Sequence, residues 1–236
     1  MLKEGQIRIP SGCAIAAIID KKGNPINGSE IIKSIALMHD RSNGLGGGFA
    51  AYGIYPEHAD DYAFHVFYDS NDARAHCEEY LFKHFNVDVA ERIPTKKIES
   101  IENGPDIWRY FGKPNRVRMQ NARMDELEYV VQCVTKVNDQ FDGSYIFSSG
   151  KNMGCFKAVG YPEDVGEFYM LDQYDAYLWT AHGRFPTNTP GWWGGAHPFN
   201  ILDWSIVHNG EISSYDTNRR SVSYTHLRAH ETVLDL

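Results

Sequence analysis

What this chain lacks narrows its class before any motif is read. Positive charge is in short supply, with 23 Lys+Arg against 31 Asp+Glu and a formal net charge of −8. A phosphate backbone or an anionic membrane surface gains no electrostatic hold on such a chain, so neither nucleic acid nor membrane is an expected partner. Long apolar runs are missing too. The longest unbroken one, Cys13 to Ile19, has 7 residues, against the roughly 20 that a bilayer-spanning helix takes. Met1 to Gly12 mixes Lys3, Glu4, Gln6 and Arg8 among scattered apolar residues and has no secretory core. The expected compartment is the cytoplasm. Cysteine is sparse: Cys13, Cys77, Cys133 and Cys155 form no C-x-x-C pair, which fits neither a zinc site nor a disulfide scaffold. Any special cysteine must be special for its reactivity.

What is present is enough for a well-packed core. With 236 residues, 42% hydrophobic and 13% aromatic, the chain has the size of one large domain or two small ones. Cys13 to Ile19 reads as a strand buried on both faces, ended by Asp20, Gly23, Asn24 and Pro25. Ser29 then caps a predicted helix from Glu30 to about His39, with Ile31, Ile35 and Met38 on its inner face. A glycine-rich loop, Arg41 to Gly48, feeds an apolar strand from Phe49 to Tyr55. Ala63 to Tyr68 is expected to be the hairpin partner of that strand, and Asn71 to Phe85 a helix.

From Asn86 to Arg123, charge clusters alternate with short apolar pieces, and the stretch reads as an inserted segment of mixed structure. Asp125 to Phe141 is helical, with Leu127, Val130, Val131, Val134 and Val137 near a 3.6 period. Strands follow at Tyr145 to Ser148 and Cys155 to Val159, a short helix at Pro162 to Phe168, and strands at Tyr177 to Ala181 and Trp204 to His208. Paired strands separated by amphipathic helices imply an α+β fold with helices packed over sheets. Beyond Arg219-Arg220 the style of the chain breaks. Residues 221–236 continue no earlier motif, resemble translated adapter read-through, and are set apart from the domain as a foreign tail.

Three places could carry chemistry. Cys13 opens an apolar strand, a position where a cysteine taken alone is usually a small core hydrophobe. The run Gly44 to Gly48 lacks the G-x-x-x-x-G-K-[ST] pattern and has no lysine, which argues against phosphate binding. The densest constellation comes late: Ala181-His-Gly-Arg-Phe-Pro-Thr-Asn-Thr-Pro190, Ala196-His-Pro-Phe199 and Val207-His-Asn-Gly-Glu211. Here polar side chains sit at the ends of apolar strands, where a sheet holds loops in place. Arg184 has the planar fork that grips a carboxylate. The Asn209 amide and the backbone N–H of Gly210 could together meet an oxyanion, although Asn-Gly alone is also a common hairpin turn.

In combination and in this order, Cys13, the Arg41-Ser-Asn-Gly-Leu-Gly-Gly-Gly48 loop, Arg184-x-x-Thr187-Asn188 and His208-Asn209-Gly210 resemble the class II glutamine amidotransferases. These are N-terminal-nucleophile hydrolases, and the pattern is most similar to the amidotransferase domain of glutamate synthase large subunits. The resemblance spans about Ser11 to Arg220. It implies a four-layer αββα sandwich, truncated at the C-terminus, with Cys13 at the edge of a central strand. It further implies Cys13 as nucleophile, Asn209 and Gly210 as oxyanion hole, Arg184 as holder of the glutamine α-carboxylate, and Thr187 and Asn188 as pocket lining.

A free α-amine has a reference pKa of roughly 7.7–8.0 and would serve as base beside the thiol, so one residue supplies both groups. That requires removal of residues 1–12 as a propeptide, leaving 13–220 as the amidotransferase domain. The family's acidic residue for the substrate ammonium is expected beyond Arg220, since Asp216 comes too early for it. Ammonia would pass to a glutamate-synthase-like partner carrying FMN and an iron–sulfur cluster, with no cofactor or metal in this chain. Two alternatives stand beside this reading: an N-terminal-nucleophile hydrolase for another amide, and a regulatory or assembly subunit with an inactive site.

Overall fold

Small and β-branched residues suit a pleated ladder, and the early alanine–isoleucine run forms the strand β1 (Ala14–Ile19) in a computed structural model that describes residues 12–186, 190–210, 214, 217, 218 and 220. A turn leads through β2 (Ile26–Asn27) into the helix α1 (Gly28–Ala36), and the glycine-rich loop into β3 (Gly47–Tyr52). Then come β4 (Tyr62–Tyr68), α2 (Asn71–His84), β5 (Phe85–Arg92) and β6 (Asp106–Pro114). The chain continues through α3 (Arg116–Ala122), α4 (Glu126–Gln140), β7 (Ser144–Ser148), β8 (Met153–Ala158) and α5 (Pro162–Phe168). The last elements are β9 (Asp175–Ala176), β10 (Leu178–Gly183), β11 (Phe199–Ile201) and β12 (Trp204–Ile206). Among the described residues no helix is long and apolar enough to cross a membrane.

The longer strands form two four-stranded antiparallel sheets, ordered β1-β10-β3-β8 and β5-β6-β4-β7. The fold is thus mixed α and β. β4 explains how the sheets stack, because all seven of its residues are buried. Side chains alternate across a strand. Tyr62, Phe64, Val66 and Tyr68 join Cys77 and Leu81 of α2 and Val130, Val134 and Val137 of α4 in one core. Ala63 and Phe67 on the opposite face join Phe49, Met153 and Phe156 of the first sheet in the other. A polar tie crosses the same gap: buried His65 of β4 meets the Cys155 carbonyl of β8 through Nδ1 at 2.8 Å and the Tyr55 hydroxyl through Nε2 at 3.0 Å. α1 and α5 pack against the first sheet.

Several expectations need correction. β1 is the outermost strand of its sheet among the described residues, and Ala17 and Ile19 are exposed, so it is neither central nor buried on both faces. Only Ala14 and Ala16 are covered. Helix α1 starts earlier than its periodicity suggested: Asn27 accepts the Ser29 N–H at 3.1 Å and caps it, and Met38 falls past its end. β4 is not the hairpin partner of β3; it belongs to the other sheet, and β3 lies between β10 and β8. The 86–123 stretch supplies nearly all of β5 and the whole of β6, so it is woven into the second sheet. Leu127 is exposed on α4, while Val130, Val134 and Val137 face inward.

Candidate active site

Register places the site. Ala14 of β1 is opposite Gly183 of β10, which is opposite Gly47 of β3. One residue further along, the three strands end together at Cys13, Arg184 and Gly46. Cys13 is half-buried, and the backbone N–H of Phe185 donates to its Sγ at 3.4 Å. The Arg41 guanidinium donates through Nε to the Cys13 carbonyl at 3.3 Å. One donor thus meets the sulfur and another the carbonyl of the same residue, and the two fix Cys13 at the strand end.

Arg184 is held along its whole backbone. Its N–H donates to the Gly46 carbonyl at 2.7 Å, and its own carbonyl accepts the Ser42 hydroxyl at 3.0 Å. The side chain is buried and donates to the Pro190 carbonyl at 3.3 Å. Burial lowers the guanidinium pKa from its usual range, and the nearby Cys13 acts against that shift. An arginine stays charged in such surroundings, so this end of the sheet presents a cation beside a sulfur.

The glycine run has a packing role that its composition left open. A Cβ on Gly48 would lie 2.3 Å from the His197 carbonyl oxygen and 2.7 Å from that of Phe156. Only a bare Cα lets the segment before β11 cross β3 this closely. Gly46, with φ of +148°, has backbone geometry that side chains disfavour. That segment is tied down from below by Lys157 of β8, fully buried, whose Nζ donates to the Gly194 carbonyl at 2.8 Å and lies 4.9 Å from the Phe199 ring centroid. Burial pushes its amine down to about 7.

The hairpin β11–β12 returns the chain to β10. Asn200 organises it, accepting the Ser149 N–H at 2.8 Å and donating to the Leu202 and Trp204 carbonyls at 2.7 and 2.8 Å. Beyond it the His208 carbonyl accepts a hydrogen bond from His182 Nε2 at 2.8 Å. Asn209 is exposed, and Gly210 has φ of +149°. The structure therefore brings Cys13 and Arg184 together directly and ties the Asn209-Gly210 turn to the same strand ends through His182. Thr187 and Asn188 lie outside the described residues. Sequence reasoning missed the Phe185 amide, since a backbone donor has no letter of its own, and it passed over His182 and Lys157. The signal for both was a basic residue inside an apolar strand pattern.

Among the described residues no group of three His, Cys, Asp or Glu is placed to hold a metal ion. The other cysteines are buried, and burial raises all three thiols, Cys77 to about 11 and Cys155 to about 12. A cavity of about 800 Å3, walled by Phe67, Phe141, Tyr145, Trp192 and Trp193, contains none of the candidate residues. Its lining is thus separate from the strand ends that hold Cys13 and Arg184.

Comparison with known proteins gives the family of the chain. Residues 82–235 match the family described as Glutamine amidotransferases class-II. The span holds Arg184, Asn209 and Gly210, begins after Cys13, and runs past Arg220. The chain belongs to the class II glutamine amidotransferases. An uncharacterized protein of Archaeoglobus fulgidus is 50% identical over 211 residues, 88% of this chain and 56% of the relative. The glutamine amidotransferase-like protein GlxB of Rhizobium meliloti is 31% identical over 78 residues, 33% of this chain and 26% of that protein. This chain spans little more than half the length of the first relative and about a quarter of the second.

Proposed function

We propose that this chain is a glutaminase unit, hydrolysing L-glutamine to glutamate and ammonia through a thioester on Cys13. The observation that carries the reading is the meeting of the Cys13 sulfur, the Phe185 N–H and the backbone-clamped Arg184 at one end of the first sheet. Family membership and the similarity to the glutamine amidotransferase-like protein of Rhizobium meliloti support it. The helix pairs α1/α5 and α2/α4 on the outer faces of two sheets that share a core support the four-layer αββα order.

In this reading residues 1–12 are removed, and the freed amine of Cys13 takes the thiol proton as sulfur attacks the amide carbon. Arg184 holds the α-carboxylate. Asn209 and Gly210 donate to the oxyanion of the tetrahedral intermediate. The C–N bond breaks, the amine returns the proton to the leaving nitrogen, and ammonia departs. Water then attacks the thioester carbon, releasing glutamate and restoring the thiol. Thr187 and Asn188 line the pocket. The ammonia feeds a glutamate-synthase-like partner bearing FMN and an iron–sulfur cluster, with the cytoplasm as compartment.

The test is intact mass and glutaminase assay of the whole protein. The expected mature chain starts at Cys13, and Cys13→Ala loses turnover while keeping its fold, whereas alanine at Cys77, Cys133 or Cys155 keeps the chemistry. A folded Cys13→Ala variant that still releases ammonia would overturn the reading.

A further inference from the structure

Two residues ahead of Arg184, β10 carries a histidine that the chemistry above does not use. His182 is fully buried, and its Nε2–H donates to the main-chain carbonyl of His208 at 2.8 Å. That carbonyl shares a planar peptide unit with the Asn209 N–H, so fixing the oxygen fixes the plane from which the Asn209-Gly210 turn departs. His182 is itself fixed. It pairs with Ile15 of β1, two residues from Cys13, and with Gly48 of β3. The His197 ring lies against it, centroids 4.3 Å apart, and limits its rotation. One hydrogen bond thus runs from the ladder that holds the candidate nucleophile to the turn that holds the candidate oxyanion donors.

We propose that His182 is a positioning residue: it sets the 208–210 turn, and with it Asn209 and Gly210, at the distance from Cys13 that an oxyanion on the attacked carbonyl requires. The role rests on the glutaminase reading. Burial lowers the imidazole to about 4, so it carries one proton at working pH, and a carbonyl partner requires that proton on Nε2. A glutamine side chain reaches a similar place with an N–H, while leucine fills the space without one.

The experiment compares His182→Leu and His182→Gln with the parent in the whole protein, by crystal structure and by steady-state glutamine hydrolysis. His182→Leu is expected to move the 208–210 turn by about 1 Å or more, a misplacement that costs on the order of 10²-fold in kcat. KM should stay within about threefold, because the oxyanion exists only after attack. His182→Gln is expected to restore the turn and most of kcat. In an Asn209→Ala background the leucine substitution should cost little more, since the donor it positions is already gone. An unmoved turn, a loss confined to KM, or full additivity with Asn209→Ala would overturn the proposal. If His182→Leu does not fold, His182→Gln decides, and a loss as large as that of Asn209→Ala counts against the role. A parent that hydrolyses no glutamine sinks the glutaminase reading instead, and the crystal comparison still reports whether His182 sets the turn.

Discussion

At the scale of single residues, two basic side chains near the candidate site, Arg184 and Lys157, are both buried, and burial lowers the pKa of each. Arg184 is buried with its backbone clamped, so its fork is presented in one orientation. Arg184→Lys keeps the charge and loses the fork. The expected result is a KM for glutamine raised about tenfold to a hundredfold, the equivalent of about 1.5–3 kcal/mol for a charged hydrogen bond, with kcat nearly unchanged. Asn209→Ala should show the converse, a kcat lowered on the order of 10²–10³-fold with little change in KM. The two KM–kcat profiles, measured side by side, separate a ground-state grip from a transition-state donor.

Lys157 offers a stability measurement free of catalysis. Its amine is fully buried and titrates at about 7, below the 10.5 of an exposed lysine. Between those values the unfolded chain holds a proton that the folded chain does not, so stability rises with pH across that window, by about 1.4 kcal/mol per pH unit. Lys157→Met should flatten the slope of the denaturation midpoint between pH 7 and pH 10. An unchanged slope would mean that the amine is solvated.

At the scale of elements, period was legible, and caps and partners were not. Pro162 at the first turn and a short apolar pattern marked α5 residue for residue. The valine stripe marked α4, while Asp125, read as part of the helix, proves to be its cap and accepts the Glu128 N–H at 2.8 Å; Asp125→Ala should cost about 1 kcal/mol in chemical denaturation. Ala63 to Tyr68 was readable as a strand, yet alternation records faces and says nothing of which neighbour a strand finds, so its place in the second sheet could not be read. The same limit hid the edge position of β1. Alanine and isoleucine look alike in a covered strand and at a sheet edge. Of the candidate site, Cys13, Arg184, Asn209 and Gly210 could be singled out as motifs, while the Phe185 amide and the His182 link depend on register. Gly48→Ala tests the crossing of β3: a methyl 2.3 Å from the His197 oxygen forces the segment away, at a cost of about 1–3 kcal/mol.

At the scale of the whole molecule, the two sheets meet across an apolar gap with a neutral imidazole bridging it. Burial lowers His65 to about 3, against roughly 6.5 when unfolded. A base with a lowered folded pKa leaves stability intact above the unfolded value and erodes it as pH falls below 6.5, by about 1.4 kcal/mol per pH unit down to about 3. His182 shifts in the same direction. The denaturation midpoint should therefore drop steeply between pH 6.5 and 5, and His65→Gln should blunt the drop. A midpoint flat across that range would show that the bridge is not dry.

The outermost position of β1 also has a mechanical consequence. Its rungs to β10 begin at Ala14, so severing the peptide bond before Cys13 undoes none of them. The new chain end would be an arm one residue long, projecting from a fixed rung and carrying amine and thiol on the same α-carbon. In the proposed chemistry such an arm keeps base and nucleophile at one distance whatever the neighbouring loops do, and leaves the incoming amide to be brought within reach.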